Sequence, residues 1–309
     1  MTLTDLTANP MFTAHPWLQL RIGSYCETVG SRCVFNRIDW RSAIKSRRLK
    51  WIKKTVRSIN IMLERRLSIR VIRTGLEHPT RTGIEQDAVA ALNSVKGRTM
   101  ADETMQYATY SAARYVAQAG IPGAVVECGV WRGGCSMLMA LGLMSASDTA
   151  REMWLFDTFE GMTSPGNRDT FLATGATADS LLLGSERVGE SPSEWTIWCV
   201  ADEPDVMQGM AQTGYPRSQI RTIRGPVEDT LFDPLPPQIS IARLDTDWYS
   251  STKMEMKMLY DKIAAGGVLI LDDYDHWTGA REAVDEFFAE RGITPFLIRV
   301  GFGRVHIKC

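Results

Sequence analysis

VVECGVWRGGCS, residues 125–136, decides the fold. A short β-rich run, Ala124–Cys128, leads into Gly129, Gly133 and Gly134, and a helical stretch follows. Glycines at a strand-to-helix turn let the backbone approach a ligand closely. The spacing G-x-x-x-G-G departs from the G-x-G-x-x-G of a pyrophosphate cradle. Glu127, near the end of the strand, would repel a phosphate but suits a cationic ligand such as S-adenosylmethionine (SAM).

Downstream, β-rich runs alternate with helical stretches. The runs are Met153–Asp157, Ile220–Arg224, Ile239–Asp245, Gly267–Asp272, Phe296–Val300 and a last strand at Arg304–Lys308. Upstream, a helix from Glu103 to Ala119 ends at Gly120. Alternation of this kind implies right-handed crossovers and a mostly parallel sheet. The expected fold is therefore α/β, a doubly wound Rossmann-like sheet. One segment breaks the rhythm: Gly161–Glu194, rich in Thr, Ser and Gly, is long enough to be mobile or functional, an active-site lid being one option.

Two further strand ends carry acids. WLFDTFEGM (154–162) ends a strand in Asp157, where a carboxylate can accept hydrogen bonds from the ribose hydroxyls of an adenosine or, alternatively, cap the following turn. ARLDTDWYSST (242–252) and GGVLILDDYDHW (266–277) place Asp245, Asp247, Asp272 and Asp273 at the ends of consecutive strands. Neighbouring strands lie ~4.8 Å apart, so these carboxylates would crowd one small volume and repel unless a cation sits among them. All-oxygen ligands suit Mg²⁺, Mn²⁺ or Ca²⁺. Separate exposed acids are the bland alternative. The six cysteines form no CxxC and read as free thiols, with Cys26 and Cys33 a pair only in an oxidising compartment.

Taken together, ECGVWRGG, FDTFEGM, LDTDWYSST and GGVLILDDY resemble the macrocin O-methyltransferase family, which acts on sugar hydroxyls in antibiotic biosynthesis. The resemblance covers roughly residues 98–309. It implies a class I methyltransferase fold with a C-terminal antiparallel strand, and SAM held along Glu127, Cys128, Gly129, Val130 and Trp131 and along Asp157, Thr158, Phe159, Glu160 and Gly161. It adds Thr99 and Met100 from a Thr-Met pair, and Val227 and Glu228 from GPVEDTL (225–231). It implies Asp245, Asp272 and Asp273 as ligands of Mg²⁺ or Mn²⁺ and Asp247 as general base. His276 is the second choice of base. Residues 161–200 are expanded relative to the family, and Asp202 stands where the family has Ser.

Residues 1–95 differ in character. They carry 16 Lys/Arg against 7 Asp/Glu, whereas the remaining 214 carry 19 against 29. Between Asp39 and Arg73, Ile52, Val56, Ile59, Leu63 and Leu67 recur at intervals of three and four, which predicts a basic amphipathic helix. Docking on the catalytic domain or a partner subunit, attachment to an anionic membrane surface and binding of an acidic partner are its alternatives. The expected organisation is a helical basic N-terminal region over 1–97, serving as extension, lid or oligomerisation element, and a catalytic domain over 98–309. No apolar run approaches the ~18 residues of a membrane span, and the N-terminus lacks the pattern of a signal peptide. Cytoplasmic location follows as an expectation, with no nucleic-acid partner, no stable membrane insertion and, by analogy, a homo-oligomer. The expected activity is SAM- and metal-dependent methylation of a hydroxyl on a small molecule, a glycoside foremost. A phenol or catechol acceptor is the nearest alternative, and a DxD glycosyltransferase built on Asp245-Thr-Asp247 the more distant one.

Overall fold

The structure, a computed structural model, describes residues 26–29, 32–35, 81, 83–183, 198–232 and 234–309. The chain divides into two units, residues 1–82 and 83–309. In the first, β1 (Cys26–Val29) pairs antiparallel with β2 (Arg32–Phe35), with Cys26 opposite Phe35 and Cys33 opposite Thr28, so the two cysteines are not register partners. The basic helix expected between residues 39 and 73 lies outside the described residues.

The second unit opens with a short helix, α1 (Gln86–Ser94). Helix α2 (Glu103–Gln118) starts where Asp102 accepts hydrogen bonds from the amides of Thr104 and Met105, satisfying two of the free N–H groups of the first turn. The first parallel strand, β3 (Ala124–Cys128), leads into α3 (Gly134–Ser145). There follow β4 (Met153–Asp157), α4 (Ala178–Leu183), α5 (Glu203–Thr213), β5 (Ile220–Arg224), α6 (Val227–Thr230), β6 (Ile239–Leu244), α7 (Tyr249–Leu259), β7 (Ile263–Leu271), α8 (Thr278–Glu290), β8 (Ile298–Val300) and β9 (Gly303–Ile307). Asp202, which departs from the expected Ser, is the N-cap of α5 and accepts from the Asp205 amide.

Seven strands form one sheet in the order β5-β4-β3-β6-β7-β9-β8. The five from β5 to β7 run parallel, and β9 is antiparallel to both β7 and β8. The chain builds β3, β4 and β5 outward in one direction, then returns to lay β6 on the other side of β3. That reversal opens a crevice at the C-terminal strand ends between β3 and β6, the position where doubly wound sheets bind ligands.

Side chains alternate across each strand, and each face is covered. On one face Val125, Ile241, Val268 and Ile270 pack with α1, α2, α3 and α5 through residues such as Leu92, Tyr110, Leu138 and Met210. On the other, Val126, Cys128, Ala242, Leu244, Leu269 and Leu271 pack with α7 and α8 through Met256, Leu259, Val284 and Phe288. Helix α3 is buried nearly all round, as its apolar sequence GCSMLMALGLMS requires. No helix among the described residues is long and apolar enough to cross a membrane.

Candidate active site

A cavity of about 530 Å³ lies over the C-terminal ends of β3, β4, β6 and β7. Its floor begins at the glycine turn. Gly129 has φ +80°, and a Cβ there would fall 1.9 Å from the Asp245 carbonyl oxygen. Gly134 opens α3, and a Cβ on it would meet the Arg98 carbonyl at 2.5 Å. These glycines bring protein segments together, β6 against β3 and residues 98–99 against α3, and so shape the pocket indirectly.

Asp157, at the end of β4, organises the same turn. Its Oδ2 accepts from the amides of Val130 (2.6 Å) and Trp131 (2.9 Å), and its Oδ1 from that of Phe159 (2.6 Å). Burial raises its pKa against the pull of these three donors. Trp131 (φ +47°) and Phe159 (φ +54°) are held in the left-handed region, a conformation costing of order 1 kcal/mol or more that persists only where neighbours enforce it. Asp157 supplies that enforcement.

Glu127 is fully buried, and both its carboxylate oxygens have partners inside the protein: the Ser136 hydroxyl on α3, and Arg243 Nη1 at 3.0 Å. Burial lifts it to about 7. The sequence reading aims Glu127 at a cationic cofactor; the structure makes it the counter-ion of a buried arginine. Arg243, 1% exposed on β6, also donates from Nη1 to Asp245 Oδ2 at 2.6 Å and from Nη2 to Asp272 Oδ1 at 2.7 Å. Sequence reading missed it. The available signal was a lone guanidinium in the otherwise uncharged central strand ISIARL, which cannot be buried without partners.

At the acidic end, Asp245, Asp272 and Asp273 each place a carboxylate oxygen within 4.8 Å of the others. Asp247 follows one turn on, with φ +67°, its amide donating to Asp273 Oδ2 (3.1 Å) and its Oδ1 accepting from Trp277 Nε1 (2.6 Å). Burial and then the neighbouring carboxylates push Asp247, Asp272 and Asp273 upward. Arg243, shared with Glu127, pairs with Asp245 and Asp272, and the four neighbouring carboxylates present an all-oxygen donor set. That combination fits a divalent cation such as Mg²⁺ or Mn²⁺.

Of the expected site residues, Thr99, Met100, Glu127, Gly129, Val130, Trp131, Asp157, Thr158, Gly161, Val227 and Glu228 line the cavity with the four acids. Three do not line it. Cys128 points to the opposite face of the sheet by strand alternation. Phe159 is buried in the core. Glu160 is exposed and faces Arg224 at 3.7 Å.

The aromatic residues divide as well. Trp277 lines the cavity, whereas Trp248 is buried beneath it at a ring distance of 5.1 Å, its Nε1 donating to the Thr163 carbonyl. The Tyr249 hydroxyl turns to Glu286 at 2.6 Å. His276 lines the cavity against Phe171 and Phe302, and burial lowers its pKa. Arg132 and Arg281 pair with Asp205 and Asp275. Residues 161–183 are docked rather than free. Asp169, 1% exposed, accepts from the amides of Gly166 and Tyr249, and Ala178 and Leu182 pack with Trp248 and Trp277. Residues 184–194 of the expected lid lie outside the described residues.

A family model for macrocin-O-methyltransferase (TylF) matches residues 70–308. The chain belongs to this family. The seven-stranded sheet is accordingly the class I SAM-dependent methyltransferase fold, and the glycosyltransferase reading of Asp245-Thr-Asp247 falls away. Among family relatives, the chain is 34% identical over 176 residues to the 8-demethyl-8-(2,3-dimethoxy-alpha-L-rhamnosyl)-tetracenomycin-C 4'-O-methyltransferase of Streptomyces olivaceus, covering 57% of this chain and 61% of that one. It is 31% identical over 181 residues to the demethyldecarbamoylnovobiocin O-methyltransferase of Streptomyces niveus, covering 58% and 63%. The chain thus spans about three-fifths of the length of these curated relatives. The solved O-methyltransferase NovP is similar with a TM-score of 0.57 and 27% identity, covering 68% of this chain and 82% of that one.

Proposed function

We propose that this macrocin-O-methyltransferase-family protein transfers the methyl group of SAM to a hydroxyl of a small-molecule natural product, a sugar hydroxyl foremost. Asp245, Asp272 and Asp273 hold a divalent cation in this reading, and Asp247 accepts the proton. The observation that carries it is the convergence of three carboxylates within 4.8 Å, with Asp247 beside them, in the same cavity as the glycine turn.

The two ends of the cavity then have separate tasks. Thr99, Met100, Val130, Trp131 and Thr158 line the end that would receive the adenosyl and methionyl parts. Met162, Phe171, Leu181 and Trp277 form an apolar wall toward the acidic end, suited to the body of the acceptor. A divalent cation, when bound, stabilises an alkoxide and so lowers the pKa of an alcohol that is hardly ionised near neutrality. Asp247 would take the hydroxyl proton, a role supported by the hydrogen bond from Trp277 Nε1 that orients its carboxylate. The acceptor oxygen forms its bond to the methyl carbon, the carbon–sulfur bond breaks, and its electron pair stays on sulfur to leave S-adenosylhomocysteine (SAH). The walls contribute in-line alignment, which is the larger part of such a displacement. The acceptor class is supported by the rhamnosyl group in the name of the first relative above.

Calorimetric titration with SAM and SAH, with Mg²⁺ and without, tests this reading on the wild type and on Asp272→Ala. Micromolar cofactor binding, with a Mg²⁺ event lost in the variant, is the expected result. Absence of cofactor binding under every condition overturns it. Comparing methyl transfer to a glycosylated acceptor and to a catechol then decides the acceptor class.

A further inference from the structure

Arg243 is the residue whose surroundings the reaction above does not use. It sits on β6, the strand between β3 and β7, directly in register with Glu127 on one side and Ile270 on the other. Its guanidinium touches three carboxylates from three strands. Nη1 is shared between Glu127, beside the glycine turn, and Asp245; Nη2 holds Asp272. The side chain is 1% exposed, and Nε has no partner. A planar, permanently charged group presents its donors in a rigid fork. Displacing any one of the three carboxylates therefore changes the geometry offered to the other two. Asp245 and Asp272 belong to the acidic end. Glu127 belongs to the strand that runs into Gly129, Val130 and Trp131 at the cofactor end. Two backbone bonds reinforce the connection, from the Asp245 amide to the Cys128 carbonyl and from the Asp272 amide to the Leu244 carbonyl, both within 3.0 Å.

We propose that Arg243 is a positioning residue that couples the two ends of the cavity, so that cation and cofactor each tighten the binding of the other through one guanidinium. The proposal rests on the reading that both ligands bind here. Ordering Asp245 and Asp272 around a cation fixes the plane of Arg243. That plane fixes Glu127, and with it the start of the cofactor turn. Linkage makes the effect reciprocal, and couplings between sites run typically from about 5- to 150-fold.

The test is calorimetric, with SAH and Mg²⁺ as probes and no turnover involved. For the wild type, saturating Mg²⁺ is expected to tighten SAH binding by about fivefold or more, and SAH to tighten Mg²⁺ binding by the same factor. Arg243→Lys keeps the charge and loses the fork. Whatever it does to the affinity for each probe alone, its coupling is expected to drop below about twofold. A purely structural role would weaken both events and leave their ratio unchanged. Wild-type SAH binding indifferent to Mg²⁺ overturns the coupling and leaves the methyltransferase reading standing; so does coupling retained in Arg243→Lys. Failure to bind SAH or Mg²⁺ at all overturns the underlying reading and this proposal with it. Should Arg243→Lys not fold, Glu127→Gln replaces the ionic contact by a neutral one of the same shape. Coupling below about twofold is expected there as well, and undiminished coupling overturns the proposal.

Discussion

Asp157 and Asp245 stand at the C-terminal ends of β4 and β6, the two strands that flank β3, and their surroundings have little in common. Three backbone amides of neighbouring turns surround the Asp157 carboxylate. Asp245 meets a shared arginine nitrogen and two further carboxylates. The first acid is held by backbone donors of the turn beside it, at the lining of the cavity. The second stands in a crowd of buried acids, where burial and mutual repulsion push Asp247, Asp272 and Asp273 upward. A strand-end acid therefore acquires its role from what faces it.

The largest effect that would break this contrast concerns Asp247. Asp247→Asn keeps an oxygen acceptor for Trp277 Nε1 but cannot take a proton. It is expected to lower kcat by about 10²–10⁴-fold with SAH and Mg²⁺ affinities nearly unchanged. Normal turnover in the variant would assign the base elsewhere. Next is Asp157→Ala, which strips an acceptor from three amides. Unfolding free energy in denaturant should fall by about 1–3 kcal/mol in the absence of any ligand. A fall seen only with SAH present would mean that Asp157 serves the ligand and not the turn.

Glu255 sharpens the comparison through pH. It lies on α7 behind the Asp245–Asp247 turn, fully buried, its Oε1 accepting from the Thr246 hydroxyl. Burial raises it to about 8 from 4.5. A raised acid holds its proton more tightly folded than unfolded, so its favourable contribution is present at low pH and is lost as pH rises between those two values. Glu255→Gln should therefore gain stability relative to wild type as pH rises from 5 to 8, by up to about 1.4 kcal/mol per pH unit. Parallel stability curves for the two proteins would refute that. The smallest effect belongs to Glu160. Being exposed and outside the cavity, it should tolerate Glu160→Gln with SAH affinity unchanged within about twofold; a larger loss would return it to the cofactor site.

Much of this architecture was legible in the chain before folding. Ala124–Cys128, Met153–Asp157 and Ile220–Arg224 form strands over the same residues that the pattern predicts, and Glu103–Gln118 forms the expected helix one residue short. Those features are local. Side-chain periodicity, cap chemistry and glycine turns act within a few residues, so they can be read in order. The acids at the strand ends were legible for a similar reason, because parallel connectivity alone brings the ends of consecutive strands to one side of a sheet.

Only tertiary structure decided what each of these residues faces. Cys128 turns into the α7–α8 side because β3 is packed on both faces. Trp248 sinks beneath Trp277 although both flank acidic motifs. Residues 161–183 are anchored through Asp169 to the start of α7, some eighty residues downstream. Glu127 and Arg243 lie 116 positions apart and form one buried pair, because β6 returns to lie beside β3. Contacts across such separations carry no local pattern; they exist only once the sheet order is set, and that order is set by the packing of the whole core.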